Sequence, residues 1–518
     1  MSFLEKIKLF NSNLQIIDEA FEYLIPQVSK KKEGQFFTPR SVVDMVIKML
    51  NPKANEIVVD PACGSAGFLL HSVMWVAGGV ITGKELPLSA RNFAQNNITG
   101  IDFASKAVKI AKAINLIVGD GKSHVYKANS LAPDTWDDET KAGLRPRLSR
   151  FPANPEKDRE NQKNFTHFDF DVLMTNPPFA GTVKQREILR IYELAEKNGR
   201  LVRKIGRHIL FLNRSLQFIS PGGRMAIVLP QGLLNNTSLE YIRRWIIRDA
   251  RILAVVGLHV NTFKPHTGTK TSVLFLQKYT DKEKQESEKV RAEYEVKWQD
   301  FIGRLKDQYQ TVNWNTEVNE EKIPEELKSF IEIHFETNED SETSERTEQA
   351  NDESVRESEN YNLEEKEPFL AEEITKLEET LKKKLRELSS ADSGESKKAL
   401  AREIQALRTT LSKISQEASE RTLGGRIHLS LNEQRTCEEF KRFWIENNVF
   451  KKIDYPIFFA VNLKPVKDNT GEYRYRKGPN GEFILDKNGH PLIIHDLNEI
   501  ADDFIKFAKE KEFDFWRD

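Results

Sequence analysis

Cysteine is nearly missing from this chain of 518 residues, which has only Cys63 and Cys437. Two cysteines support neither a disulfide framework nor a thiolate zinc site. Long apolar runs are missing too. No stretch approaches the roughly 18 uncharged residues that a membrane-spanning helix needs. The opening "MSFLEKIKLFNSNLQ" carries charges within its apolar run and no small-residue cleavage site, so it does not read as a signal peptide. Neither sign of charge dominates: 78 Lys and Arg against 79 Asp and Glu leave a net charge of −1. Any nucleic-acid surface must therefore be a local patch, because no global field supplies one. His167, His208, His259 and His266 are scattered without metal-ligand spacing, and structural or surface roles are expected of them. These absences describe a cytoplasmic protein with no membrane segment and no metal.

What is present is length, and an excess of charge. The chain is too long for one compact core, and 30% of it is charged. Residues 1–32 carry Phe3, Ile7, Phe10, Leu14, Ile17 and Phe21 at helical spacing, which predicts an amphipathic helical segment. Over 33–280, short β-rich runs (56–60, 98–102, 171–176, 224–230, 251–258, 271–279) alternate with helical patterns (41–50, 65–77, 104–117, 204–219, 238–249). That alternation predicts an α/β domain, a doubly wound and mostly parallel sheet with an antiparallel edge pair at its end. Residues 281–335 are charged and helix-prone. The acidic stretch 336–368 has almost nothing apolar to bury and reads as a disordered linker. Leu377, Leu381 and Leu388, then Leu400, Leu407 and Leu411, predict a helical hairpin or coiled coil over 369–421, packed on itself or on a partner. The tail, 422–518, shows "NTG", "PNG" and "KNG" turn signals and then a helical pattern, so a β-hairpin and helix element is expected.

Three short stretches carry chemistry. "VVDPACGSAGFLL" (58–70) is a strand, a glycine-rich turn and a helix start, a form that lets a ligand approach backbone N–H groups closely. A glycine turn by itself is usually only a turn. "GID" (100–102) puts Asp102 at a strand end, where a carboxylate can accept hydrogen bonds from both ribose hydroxyls. "TNPPF" (175–179) ends a buried strand with an amide, two rigid prolines and an aromatic ring. A ring-conjugated amine is a weak nucleophile because its lone pair is delocalised. Acceptors at the Asn176 side chain and the Pro177 carbonyl favour its reactive pyramidal form, and prolines hold such acceptors rigidly. Phe179 can stack on the ring that carries the amine.

With "GQFFTPRSVVDMV" (34–46) ahead of them and "KANSL" (127–131) between, these motifs resemble the S-adenosylmethionine-dependent DNA adenine-N6 methyltransferases. Within that family the chain is most similar to the modification (M) subunit of type I restriction-modification systems. The order of elements resembles the γ arrangement, with cofactor motifs ahead of catalytic ones. The resemblance spans roughly 33–280 and, more weakly, the tail. It implies a Rossmann-like methyltransferase fold and S-adenosylmethionine as cofactor. Phe37, Thr38 and Pro39 would border the cofactor's methionine end. Asp60, Ala62, Gly64 and Gly67 would cradle it, Asp102 would take its ribose, and Asn129 its adenine edge. Asn176, Pro177 and Phe179 would act on a flipped adenine, with Phe263 on the base's other face. Partners would be double-stranded DNA, a specificity (S) subunit and a restriction (R) subunit.

For DNA phosphate the candidate segment is 182–214, which includes Lys184 and Arg186 and holds nine Lys and Arg against three Glu. Two features depart from the family. Only 32 residues precede the "FFTP" region, where M subunits usually carry a sizeable helical domain, so another chain would have to supply any DNA clamp. The charged insertion between 281 and 421 is also longer than expected, and its hairpin is the candidate for docking the specificity subunit. The tetrad also suits guanine N2 in RNA or a protein glutamine, and a silent scaffold subunit is a further alternative.

Overall fold

The computed structural model describes residues 38–78, 87–117, 124–197, 200–265, 267–313, 315–336, 367–390, 394–485 and 491–516. The helix expected over 1–32, Phe37, His266 and nearly all of the acidic stretch 336–368 lie outside the described residues. The described residues of Met1–Lys284 and Tyr455–Asp518 form one compact unit, and those of Gln285–Asp454 a second.

The first unit is built on an eight-stranded sheet. Its strands are β1 (Val58–Asp60), β2 (Ile98–Asp102), β3 (Val125–Lys127), β4 (Phe170–Thr175), β5 (Ile219–Pro230), β6 (Ala250–Gly257), β7 (Thr271–Lys278) and β8 (Phe458–Val461). They lie in the order β8-β6-β7-β5-β4-β1-β2-β3. Every pair is parallel except those of β7, which runs antiparallel to both β5 and β6. The antiparallel pair is therefore present, but β7 sits inside the sheet and β8, from the tail, forms the edge.

Alternate residues of the central strands feed two cores. Val172, Met174, Ala226, Val228, Val273 and Phe275 face one side, and Leu173, Met225, Ile227, Leu229, Leu274 and Leu276 the other. Strands buried on both faces read as continuous apolar runs, which is why these were legible. Helices α1 (Arg40–Leu50), α2 (Gly67–Val76), α3 (Arg207–Phe218) and α4 (Leu497–Glu510) matter most for the site. Helices α1, α2 and α4 cover the first face, and α3 covers the second. Val42, Met45, Val46 and Met49 give α1 its inward stripe, each such side chain contributing roughly 1.5–3 kcal/mol on burial. Its C-terminus is tied to the end of the chain. Asn51 donates to the Phe515 carbonyl (2.8 Å), and the Trp516 indole N–H donates to the Met49 carbonyl (3.2 Å).

In the second unit Trp298, Ile302, Leu327, Phe330, Ile427, Phe440 and Trp444 form a separate core. Helices Glu367–Ser390 and Gly394–Arg421 pack on one another as a hairpin within the chain. The tail differs from expectation. Leu423–Asn432 and Gln434–Lys452 are helices of the second unit, and the division falls at Asp454/Tyr455. Their apolar residues recur at helical spacing (Ile427 and Leu431, Phe440 and Trp444), whereas the turn signals all lie beyond 468. There, bridges such as Tyr475–Ile493 and Lys477–Phe483 mark the hairpin ahead of α4. Residues Leu88–Asn96 form a helix that leads into β2.

Candidate active site

The strand order reverses between β1 and β4, and a crevice at the C-terminal ends of these strands is where an open α/β sheet takes a ligand. One lip of the crevice follows β1 and β2. Asp60 and Asp102 are the last residues of these strands, and both are buried. Asp60 accepts the Ala62 N–H at 3.0 Å. Asp102 accepts the N–H of Gly64 (3.0 Å) and of Ala104 (2.7 Å), so it ties its own loop to the glycine turn. Burial pushes the Asp60 carboxyl up to about 7, and the charge of Asp102 adds to the rise. Gly64, at φ 51°, takes a left-handed conformation that favours glycine. A Cβ built on Gly64 or Gly67 would meet nothing within 4 Å, whereas one on Gly100 would strike Cys63 Sγ and Leu69 Cδ1 at 3.0 Å. Gly100 is thus a packing glycine beneath the turn, and Gly64 and Gly67 border open space. Cys63 is buried in the core, and burial raises its thiol well above the usual range.

Directly after Asp102, Phe103 lies 71% exposed. Sequence reasoning passed it over. Its signal was an aromatic residue immediately following a strand-end carboxylate.

Asn129 opens the loop after β3, where its Oδ1 accepts the Leu131 N–H at 3.1 Å. Its neighbour Ser130 donates to the Pro61 carbonyl (2.6 Å) and so fastens this loop to the one that follows Asp60. Beneath lies Arg214, fully buried on α3. It donates to the carbonyls of Ser130, Thr166 and Phe165 and to the Gln217 amide oxygen, each at 2.9 Å. Its guanidinium also lies 4.5 Å from the centroid of the Phe218 ring. Arg214 therefore does not belong to the basic surface segment expected over 182–214. Lys184, Arg186, Arg190, Arg203, Lys204 and Arg207 of that segment are exposed.

The other lip is the turn after β4. Asn176 Nδ2 donates to Thr38 Oγ1 at 3.0 Å, joining two motifs separated by more than a hundred residues. Phe179 packs edge-on against Phe263, with centroids 5.9 Å apart and planes at 89°. Phe263, expected across a gap from Phe179, is buried and braces its ring edge. Gly181, at φ 89°, lies against the Arg207 side chain, where a Cβ would come within 3.2 Å of the guanidinium carbon. A short antiparallel pair, Thr182–Val183 with Ile205–Gly206, returns the chain to this point. His208 then reaches the Phe179 backbone, and burial lowers its pKa below the usual range. Among the described residues, no group of three or more His, Cys, Asp or Glu could hold a metal ion. No described helix is long and apolar enough to cross a membrane.

The arrangement sets an acidic, glycine-lined turn beside the Asn176–Phe179 turn and its aromatic ring. The profile described as N-6 DNA Methylase matches residues 12–377. A second, the CENP-B N-terminal DNA-binding domain, matches residues 378–419, whose described part lies in the two long hairpin helices. The EcoEI type I restriction enzyme methylase subunit of Escherichia coli is 25% identical over 249 residues, 47% of this chain and 42% of that protein. The HindI type I methylase subunit of Haemophilus influenzae is 34% identical over 250 residues, 47% of each. The chain thus spans about half the length of the curated relatives it matches. The crystal structure of the EcoKI M protein has a TM-score of 0.34 at 22% identity, over 48% of this chain and 45% of that one. With well over half of its length matched by the family profile, the chain belongs to the N-6 DNA Methylase family.

Proposed function

We propose that this chain transfers a methyl group from S-adenosylmethionine to N6 of adenine in double-stranded DNA, as the modification subunit of a type I restriction-modification complex. The observation that carries the reading is the juxtaposition at one crevice of the Asn176–Phe179 turn, the Asp60–Gly67 cradle and Thr38. The cradle suits the cofactor. Gly64 and Gly67 border unfilled space, and Asp102, buried at the end of β2 and accepting two backbone N–H groups, would take the ribose hydroxyls on its remaining lone pairs. Phe103, in the open beside Asp102, would lie on the cofactor's adenine, with Asn129 at the edge of that ring. When bound, S-adenosylmethionine supplies an electrophilic methyl group on sulfur, and the sulfur keeps the electron pair of the bond that breaks.

The residues of the second lip act on the acceptor. An adenine stacked in a duplex hides its amine, so the base is extruded into the crevice, where Phe179 takes one face. Asn176 Oδ1 and the Pro177 carbonyl accept the two N–H groups of N6 and direct its lone pair toward the methyl group. The lone pair becomes the new N–C bond, and the surplus proton leaves to water. Lys184, Arg186 and the neighbouring exposed cations bind phosphate without reading sequence. That division of labour leaves the choice of site to a specificity subunit, which the hairpin of Glu367–Ser390 and Gly394–Arg421 would dock. A restriction subunit would complete the complex.

The test is adenine methylation in a methylation-free host that expresses the chain with its operon neighbours, read by single-molecule sequencing. One motif methylated by the wild type and not by Asn176→Ala is expected. No methylated adenine, with all subunits expressed, would turn the assignment to an RNA or protein acceptor or to a silent scaffold.

A further inference from the structure

A carboxamide presents an oxygen on one side and an NH2 on the other, and only the oxygen can accept from an amine. An Asn at the head of a catalytic turn therefore works in one of its two flipped orientations. Thr38 is the side chain that holds this amide. It stands just ahead of α1, where a threonine often caps a helix, yet the cap position is Pro39 and no side chain caps the helix. The Thr38 hydroxyl instead takes the Asn176 Nδ2 hydrogen bond at 3.0 Å. Thr38 is only partly buried, but its backbone is anchored, because the Pro39 carbonyl accepts the N–H groups of Val42 and Val43 at the start of α1.

Resting on the adenine-methyltransferase reading, we infer that Thr38 is a positioning residue for the methyl acceptor: its hydroxyl tethers the Asn176 amide through Nδ2 and so holds the carbonyl where it can meet N6. The element ahead of the glycine turn would thereby act on turnover as well as border the cofactor. Such a role separates orientation from affinity. Without the hydroxyl the side chain loses this tether, and its carbonyl spends less time placed to accept from N6.

The experiment compares Thr38→Val, which keeps the shape and removes the hydroxyl, with Thr38→Ser, which keeps the hydroxyl. Turnover is measured with the full complex at saturating DNA and cofactor, and cofactor affinity by calorimetry. Thr38→Val should lose roughly tenfold in turnover, the worth of one well-placed hydrogen bond, and the loss should persist at saturating cofactor whatever calorimetry finds for its affinity. Thr38→Ser should restore the rate. A readout independent of activity is the side-chain amide resonance of Asn176 in protein labelled at asparagine nitrogen. Its hydrogen-bonded shift should persist in Thr38→Ser and move in Thr38→Val. Equal turnover in wild type and Thr38→Val, or a resonance that does not move, would overturn the inference. So would a rate defect that disappears when the cofactor concentration is raised. If the wild type methylates no adenine, the functional reading fails on its own, and the resonance still judges the contact.

Discussion

The two lips of the crevice are held by different physics. The lip after β1 and β2 is organised by charge: Asp60 and Asp102, both buried, gather the N–H groups of Ala62, Gly64 and Ala104. The lip after β4 is organised without charge, by two prolines, a ring against a ring, and an amide on a hydroxyl. The charged lip is expensive to hold. Burial raises the Asp60 carboxyl to about 7, so its ionised form opposes folding at neutral pH. The neutral lip lacks that penalty and shows no pH-sensitive contact of its own beyond His208 behind Phe179. Defects on the first lip should therefore appear in cofactor affinity and stability, and defects on the second in rate.

Asn176→Ala tests the division most severely. Turnover should fall by two to three orders of magnitude or more while calorimetry finds cofactor binding intact. Parallel loss of binding would merge the two lips. Asp60→Asn comes next, and its sign is informative. Asp60 ionises near pH 4 when unfolded and at about 7 when folded, so wild-type stability falls as pH rises between those values. Asn keeps the acceptor for the Ala62 N–H and has no charge. The variant should melt at the same temperature as wild type at low pH and progressively higher as pH rises to about 7, by up to about 4 kcal/mol. A gap independent of pH would dissociate Asp60 from the charged lip's cost. Asp102→Ala should weaken cofactor binding roughly ten- to a hundredfold, the range for hydrogen bonds to an ionised group, and leave turnover at saturation nearly unchanged. Phe103→Ala should be mildest, about fivefold in cofactor affinity, as one lost ring contact implies.

Much of this was legible in the sequence, and for a local reason. Asp60 and Asp102 end buried strands and Asn176 directly follows one, with Pro61 and Pro177 next in line at two of them, so a short window contains both the strand and its end. The expected run 98–102 is β2 to the residue. What was not legible depends on distant neighbours. The run at 457–463 reads as a strand, but nothing nearby says that it pairs with β6, some two hundred residues earlier. β3 has only three residues, with its last one exposed, too short for a period to show. Arg214 counts as surface charge in composition, yet it falls four residues after Leu210 and four before Phe218, on the buried face of α3. That spacing was the available signal. The Thr38–Asn176 contact and the edge-on packing of Phe263 depend on where side chains point after folding, which no motif encodes.

The placement of β8 and α4 has a consequence for how the protein is made. Both complete the first unit, one at the edge of the sheet and one over α1, yet both are translated after the whole of Gln285–Asp454. At ordinary elongation speed the ribosome takes on the order of ten seconds or more to span that interval. Through it, β6 presents an open edge and α1 an uncovered apolar stripe, the kind of surface that recruits chaperones or seeds aggregates. Synthesis interrupted anywhere in the second unit would leave the crevice residues translated but the sheet unfinished. The helix that follows Thr38 is thus secured late, by residues translated after the second unit.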